Sequence, residues 1–150
     1  MSVFEGAVIE MKKILVVYQD DVWARSLAAD FSAVGFKIET TALLSDMIRK
    51  VRTGDFAVAL LDDEIEGIRA CDVISLLKKI DWRLQVIVVS SAESLGVVRR
   101  LRGEGIFYQA MKPVDLDEIR SAVECAFGKI ERERLREFPV QELVAQMGTV

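Results

Sequence analysis

The chain has 150 residues, 51% of them hydrophobic, carries a formal charge of −4 at pH 7 and contains no histidine. That is enough apolar material for one core without metals or disulfides, and too little chain for a second domain. Mild acidity gives no electrostatic footprint for nucleic acid or for an acidic membrane. Without imidazole the usual base of serine and cysteine triads and the commonest zinc ligand are missing, so any phosphoryl chemistry needs another acceptor, for which a carboxylate is the candidate.

Ser2-Val3-Phe4-Glu5-Gly6 lacks the basic start and apolar stretch of a signal peptide, and no apolar run approaches the roughly 20 residues that cross a bilayer. A cytoplasmic protein is expected. Ile14-Leu15-Val16-Val17-Tyr18 reads as a first strand, and Asp20 or Asp21 as the N-cap of a helix whose face carries Leu27, Phe31 and Val34 and which stops at Gly35. Phe36-Lys37-Ile38-Glu39 alternates as a second strand. Leu43, Leu44, Met47, Ile48 and Val51 form the next helical stripe, ended near Gly54. The third strand, Ala57 to Leu61, runs into Asp62-Asp63-Glu64 and a helix marked by Val73, Ile74, Leu77 and Ile80.

Leu84 to Val89 is the fourth strand, followed by a helix with Leu95, Val98 and Leu101 on its core face. Gly103 and Gly105 frame the turn into a fifth strand, Ile106-Phe107-Tyr108, which Lys112-Pro113 ends. Asp115 caps a last helix through Leu116, Ile119, Val123 and Ile130. Beyond Gly128 the stripe gives way to a mixed-charge run of solvated helix, and past Pro139 the residues Val140, Leu143, Val144 and Met147 form a short amphipathic tail. Cys71, Cys125, Met47 and Met111 are expected in the core, and Trp23 and Trp82 over helix ends.

Strands alternating with helices, at spacings too long for hairpins, predict an α/β protein with a parallel sheet covered on both faces. Asp62, Ser90 and Lys112 each follow an apolar run, so an acid, a hydroxyl and an amine gather at the carboxyl edge of one sheet, where open α/β sheets bind ligands. With Gly35-Phe36, Gly105 and the proline after Lys112, their order and spacing resemble the receiver domain of two-component response regulators, over about residues 12–128. The resemblance implies a three-layer, flavodoxin-like (βα)5 fold with a doubly wound sheet of order 2-1-3-4-5. Residues 1–11 are then a lead-in and 129–150 a helical extension or linker. It also implies that Asp62 is the phosphoacceptor, that Ser90 turns toward the phosphoryl group and that Lys112 pairs with it.

The sequence departs from the family at the end of the first strand. Two adjacent acids usually hold Mg²⁺ there, and Tyr18 and Gln19 stand in their places, with Asp20 and Asp21 displaced into the helix start. The family's proline after the acceptor is missing around Ile65-Glu66, and its following glycine is Ala70. Mg²⁺ prefers carboxylate oxygens in octahedral array, and each lost charged contact is worth about 1.5–3 kcal/mol. No resident cofactor is expected and Mg²⁺ binding should be weak, with Gln19, Asp62 and Glu64 as poor candidate ligands. An ion pair between Asp62 and Lys112 would then stand at rest.

The leading expectation is therefore an atypical receiver, not an enzyme, that works through protein contacts with little or no phosphorylation at Asp62. A fully phosphorylatable switch is the second reading. A flavodoxin-like ligand-binding protein or enzyme is the third, although no glycine-rich phosphate loop follows the first strand. Expected partners are a sensor histidine kinase or phosphotransfer protein, an output domain or effector, and a second copy through the long last helix. Nucleic acid and membrane are not expected partners.

Overall fold

In a computed structural model, which describes residues 12–91 and 94–137, the apolar runs assemble into one parallel sheet. Its strands are β1 (Lys13–Val17), β2 (Lys37–Thr41), β3 (Val58–Asp62), β6 (Gln85–Ser90) and β7 (Tyr108–Met111), while β4 (Glu64–Ile65) and β5 (Ile68–Arg69) form a separate small hairpin. The order across the sheet is β2-β1-β3-β6-β7, which is the expected 2-1-3-4-5 once the hairpin is set aside. The helices are α1 (Asp21–Ala33), α2 (Leu44–Thr53), α3 (Ala70–Ile80), α4 (Leu95–Gly103) and α5 (Leu116–Glu137).

Side chains alternate across the strands, and both faces of the sheet are buried. Leu15, Val17, Ala59, Leu61, Val86 and Val88 pack with Met47, Ile74 and Leu77 from α2 and α3. Ile14, Val16, Val58, Leu60, Ile87 and Val89 pack with Leu27 and Phe31 from α1 and Ile119 and Val123 from α5. Each such aliphatic side chain contributes about 1.5–3 kcal/mol relative to exposure, which is why β1, β3 and β6 are held firmly enough to aim residues at their ends. Gly35, at φ +96°, lets the chain leave α1 and seat Phe36 between Phe31 and Phe127, at centroid distances of 5.4 and 5.8 Å.

Several expectations change. The hairpin was not foreseen: Glu66 and Gly67, at φ +50° and +77°, make a tight two-residue turn between Ile65 and Ile68. Proline cannot adopt a positive φ, so the absence of the family's proline near this position has a backbone reason. β7 begins at Tyr108 rather than Ile106, because pairing with β6 starts at Ile87 opposite Tyr108 and the preceding two residues pack into the layers on either side.

In α4 the core-facing pair is Val97 and Leu101, while Leu95 is 61% exposed. Spacings of three and four residues are hard to separate in a nine-residue helix. Cys125 and Met111 are exposed, unlike Cys71 and Met47, since Cys125 lies on the outer face of α5 and Met111 ends an edge strand. Trp82 follows α3 in the open with Arg83 stacked on its ring at 5.0 Å, whereas Trp23 is buried. α5 runs through Gly128 to Glu137 as one helix. The expected lead-in and the tail beyond Pro139 lie outside the described residues, among which no helix is long and apolar enough to cross a membrane.

Candidate functional site

Parallel pairing brings the ends of β3, β6 and β7 to one edge. Asp62 closes β3 beside Val89, Ser90 closes β6 beside Met111, and Lys112 follows β7 with its main-chain N–H donating to the Ser90 carbonyl at 2.9 Å. Asp62 and Ser90 are each 1% exposed. The edge lies next to β1 and β3, where the strand order reverses and where sheets of this type leave a crevice for ligands.

The Asp62 carboxylate is surrounded by donors. Its Oδ1 accepts from Lys112 Nζ at 2.6 Å and from the Asp63 N–H at 2.9 Å. Its Oδ2 accepts from the N–H groups of Gln19 at 2.9 Å and Asp20 at 3.2 Å and from the indole Nε1 of Trp23 at 3.1 Å. A carboxylate has about four lone-pair directions, so these five N–H groups saturate it. Burial alone would raise the Asp62 pKa, but the Lys112 ammonium, the two main-chain N–H groups and the indole together hold it below the usual carboxylate value. Burial would likewise lower the Lys112 pKa, and the facing Asp62, with Asp63 3.7 Å away, raises it instead. The expected resting ion pair is therefore formed.

Asp62, Ser90 and Lys112 share this edge as expected. Tyr18 and Gln19 contribute differently. Tyr18 donates its N–H to Thr41 at 3.0 Å and packs its side chain against the core under α1 and α5, while Gln19 enters through its main chain and leaves its side chain exposed. Asp20 turns away as the N-cap of α1, accepting from the Val22 N–H at 3.0 Å. Glu64 sits on the hairpin, in the wall of a cavity of about 500 Å³ shared with Asp63, Ser91 and Arg100. Asp63 accepts from both the N–H and Oγ of Ser91 at 2.9 Å, which ties the β3 and β6 ends together.

Among the described residues no group of three or more acidic, histidine or cysteine side chains is placed to hold a metal ion. What faces Asp62 Oδ2 is a set of N–H donors, and a divalent cation requires oxygen ligands, so this donor set does not fit a Mg²⁺ ion. The participant that sequence reading missed is Trp23. Its signal was available in part: an aromatic with a hydrogen-bond donor in the first turn of the helix that follows β1, hence near the carboxyl edge.

Comparison with known proteins agrees with this geometry. The chain is 30% identical over 113 residues to the DNA-binding transcriptional regulator NtrC of Azospirillum brasilense, a match covering 75% of this chain and 24% of that protein. It is 31% identical over 78 residues to sporulation initiation phosphotransferase F of Bacillus subtilis (strain 168), covering 52% and 60% respectively. The chain thus spans about a quarter of the first relative's length and three fifths of the second's. A solved CheY-like response regulator receiver domain protein from Methanospirillum hungatei JF-1 superposes with a TM-score of 0.77 at 21% identity, covering 82% of this chain and 98% of the other. The family model of the response regulator receiver domain matches residues 14–124, from within β1 to within α5. A match of that extent, on a sheet of the same order, makes this chain a member of the response regulator receiver domain family.

Proposed function

We propose that this receiver domain signals through protein contacts, with Mg²⁺-dependent phosphorylation of Asp62 much reduced or absent. The observation that carries the reading is the Asp62 carboxylate saturated by Lys112, three main-chain N–H groups and one indole, while Asp20 turns away to cap α1. Phosphoryl transfer to a carboxylate crowds negative oxygens into one cleft and depends on countercharge. Lys112 supplies one positive charge. Tyr18 and Gln19, at the positions of the usual acids, bring no carboxylate to hold a cation that would add more, and Gln19, Asp62 and Glu64 remain poor Mg²⁺ ligands.

Asp62 is the acceptor residue in this reading, and Ser90 and Lys112 are the groups that would contact a phosphoryl group. The domain acts by binding rather than by turnover, in the cytoplasm, with a histidine kinase or phosphotransfer protein on one side and an output domain or effector on the other. Likeness to a transcriptional regulator and to a sporulation phosphotransferase supports that setting. A second copy is a further partner, through the far end of α5, where Leu135 is 74% exposed. The fully phosphorylatable switch is favoured by one observation, the presence of Ser90 and Lys112 at the same edge as Asp62.

Acetyl phosphate with and without Mg²⁺, followed by intact mass, separates the two. The proposal expects little or no gain of a phosphoryl mass at millimolar Mg²⁺. A rapid, Mg²⁺-dependent gain that vanishes in Asp62→Asn would sink it. Light scattering on the same protein reads self-association, and a monomer at high concentration would remove the second copy from the partners.

A further inference from the structure

Resting on that reading, we propose that the Asp63 carboxylate is the resident anion of this edge: in the unphosphorylated chain it holds the segment that leaves β6, which a phosphoryl group on Asp62 would otherwise have to draw in. A phosphoryl group acts on the rest of a molecule through the donors it gathers, and cationic side chains, hydroxyls and main-chain N–H groups are those an anion holds most firmly. At the carboxyl edge of this sheet they include Lys112 after β7 and Ser91 after β6. Asp63 already faces both.

The Asp63 side chain is placed by its own main chain. Its N–H donates to Asp62 Oδ1 at 2.9 Å and its carbonyl accepts from the Ala70 N–H at 2.8 Å, so the residue is gripped on both sides before its carboxylate makes any contact. One carboxylate oxygen, Oδ2, then accepts from the N–H and from the Oγ of Ser91, each at 2.9 Å, and lies 3.7 Å from Lys112 Nζ. Asp63 and Ser91 are 28 residues apart in sequence, so the contact is a clasp between strand ends and not a local turn. With Asp62 on the same ammonium at 2.6 Å, Lys112 faces two carboxylates. A further anion at this edge finds its countercharge already shared.

The segment that Asp63 holds leads toward α4, which is fastened to α3 by Arg100 and Asp72 at 2.8 Å. The direction in which the chain leaves β6 is thereby set without a phosphoryl group. Asp63 also stands in the wall of the cavity of about 500 Å³, with Ser90 and Ser91, so removing its carboxylate opens that place to a small anion from solvent. A purely structural aspartate is replaced by any group that fills its volume. A resident anion is replaced only by another anion.

The test uses the full chain, with inorganic phosphate as the probe. Asp63→Ala vacates the place and leaves Ser91 and Lys112. The Ser91 amide signal is followed by NMR as phosphate is raised, with ionic strength held constant by chloride, in the parent, in Asp63→Ala and in Glu64→Gln, which removes a negative charge from the same cavity wall without vacating the place. Phosphate should shift the Ser91 amide of Asp63→Ala at a concentration roughly tenfold or more below that needed in the parent, because the anion regains charge-assisted donors. A similar response in the parent and Asp63→Ala, or none in either, overturns the proposal. So does an equal gain in Glu64→Gln, which would mark a general loss of negative charge.

No phosphoryl group is transferred in this titration, so rapid labelling of the parent by acetyl phosphate sinks the low-phosphorylation reading alone and leaves the titration to decide the role of Asp63. A measurement on the parent covers the case in which Asp63→Ala does not fold. Its Ser91 amide should exchange slowly with water, and exchange at the rate of an unfolded peptide would overturn the clasp.

Discussion

Asp62 and Lys112 depend on each other. Removing the ammonium leaves a carboxylate that is 1% exposed with no countercharge, and breaking one partner of a buried pair typically costs about 3–5 kcal/mol. The four remaining N–H donors on Asp62 soften the loss, so Lys112→Met should lower stability by about 3 kcal/mol, at the low end of that range. Urea unfolding measures it, and a midpoint within error of the parent would mean the pair contributes nothing. The exposed i,i+4 pair of Arg25 and Asp21 serves as the contrast, since such pairs contribute only about 0.3–0.5 kcal/mol.

At the scale of elements, the hairpin between β3 and α3 does more than connect. α2 has Leu43 as its N-cap with no side-chain cap, and the Glu66 Oε1 of the hairpin turn accepts from the Leu44 N–H at 2.6 Å in its place. The start of α3 is fastened by the Ala70 N–H to the Asp63 carbonyl at 2.8 Å. Glu66→Ala should lose the borrowed cap at about 1 kcal/mol, the usual cost of removing an N-cap acceptor. Glu66→Pro should cost more, because a residue at φ +50° cannot be proline and the hairpin must open. Amide hydrogen exchange at Leu44 reports both variants, and protection equal to the parent in Glu66→Pro would contradict the shared cap.

For the whole molecule, the same carboxylate contributes to the acid limit of stability, beside Glu39 and Asp46, whose pKa values are lowered by hydrogen bonds from Lys50 and from Thr41 and Arg49. The folded-state pKa of Asp62 is lowered, so on acidification the unfolded chain takes up its proton first and folding loses ground. The contribution is fully present above the unfolded value of about 3.9 and is lost as pH falls through the folded one. Lys112 has the opposite sign: its raised pKa gives stability that is complete below about 10.4 and lost as pH rises through the folded value. The unfolding midpoint of the parent should therefore fall more steeply below about pH 4 than that of Asp62→Asn. Parallel pH profiles for the two proteins would show that Asp62 contributes nothing to the limit.

Periodic burial is a local property, and it sufficed to place the five sheet strands, the helices between them, and Asp62, Ser90 and Lys112 at one edge. The position of a residue at a strand end survives errors of one or two residues in where the strand begins, as β7 shows. Whether α4 turned Leu95 or Val97 inward was not legible, since a short helix carries too few apolar residues to fix its rotation. The environment of Asp62 was legible only in part. Its pairing with Lys112 was expected from charge and register, but Trp23 lies 39 residues away in sequence and Lys112 50 residues away on the other side. Which lone pair each takes depends on how α1 and α5 pack against the sheet. The sequence by itself therefore determined the fold and the neighbourhood of Asp62. The tertiary structure alone decided that the oxygens of Asp62 are filled, because that rests on the meeting of main-chain and side-chain N–H groups from three segments far apart in the chain, which no local pattern encodes.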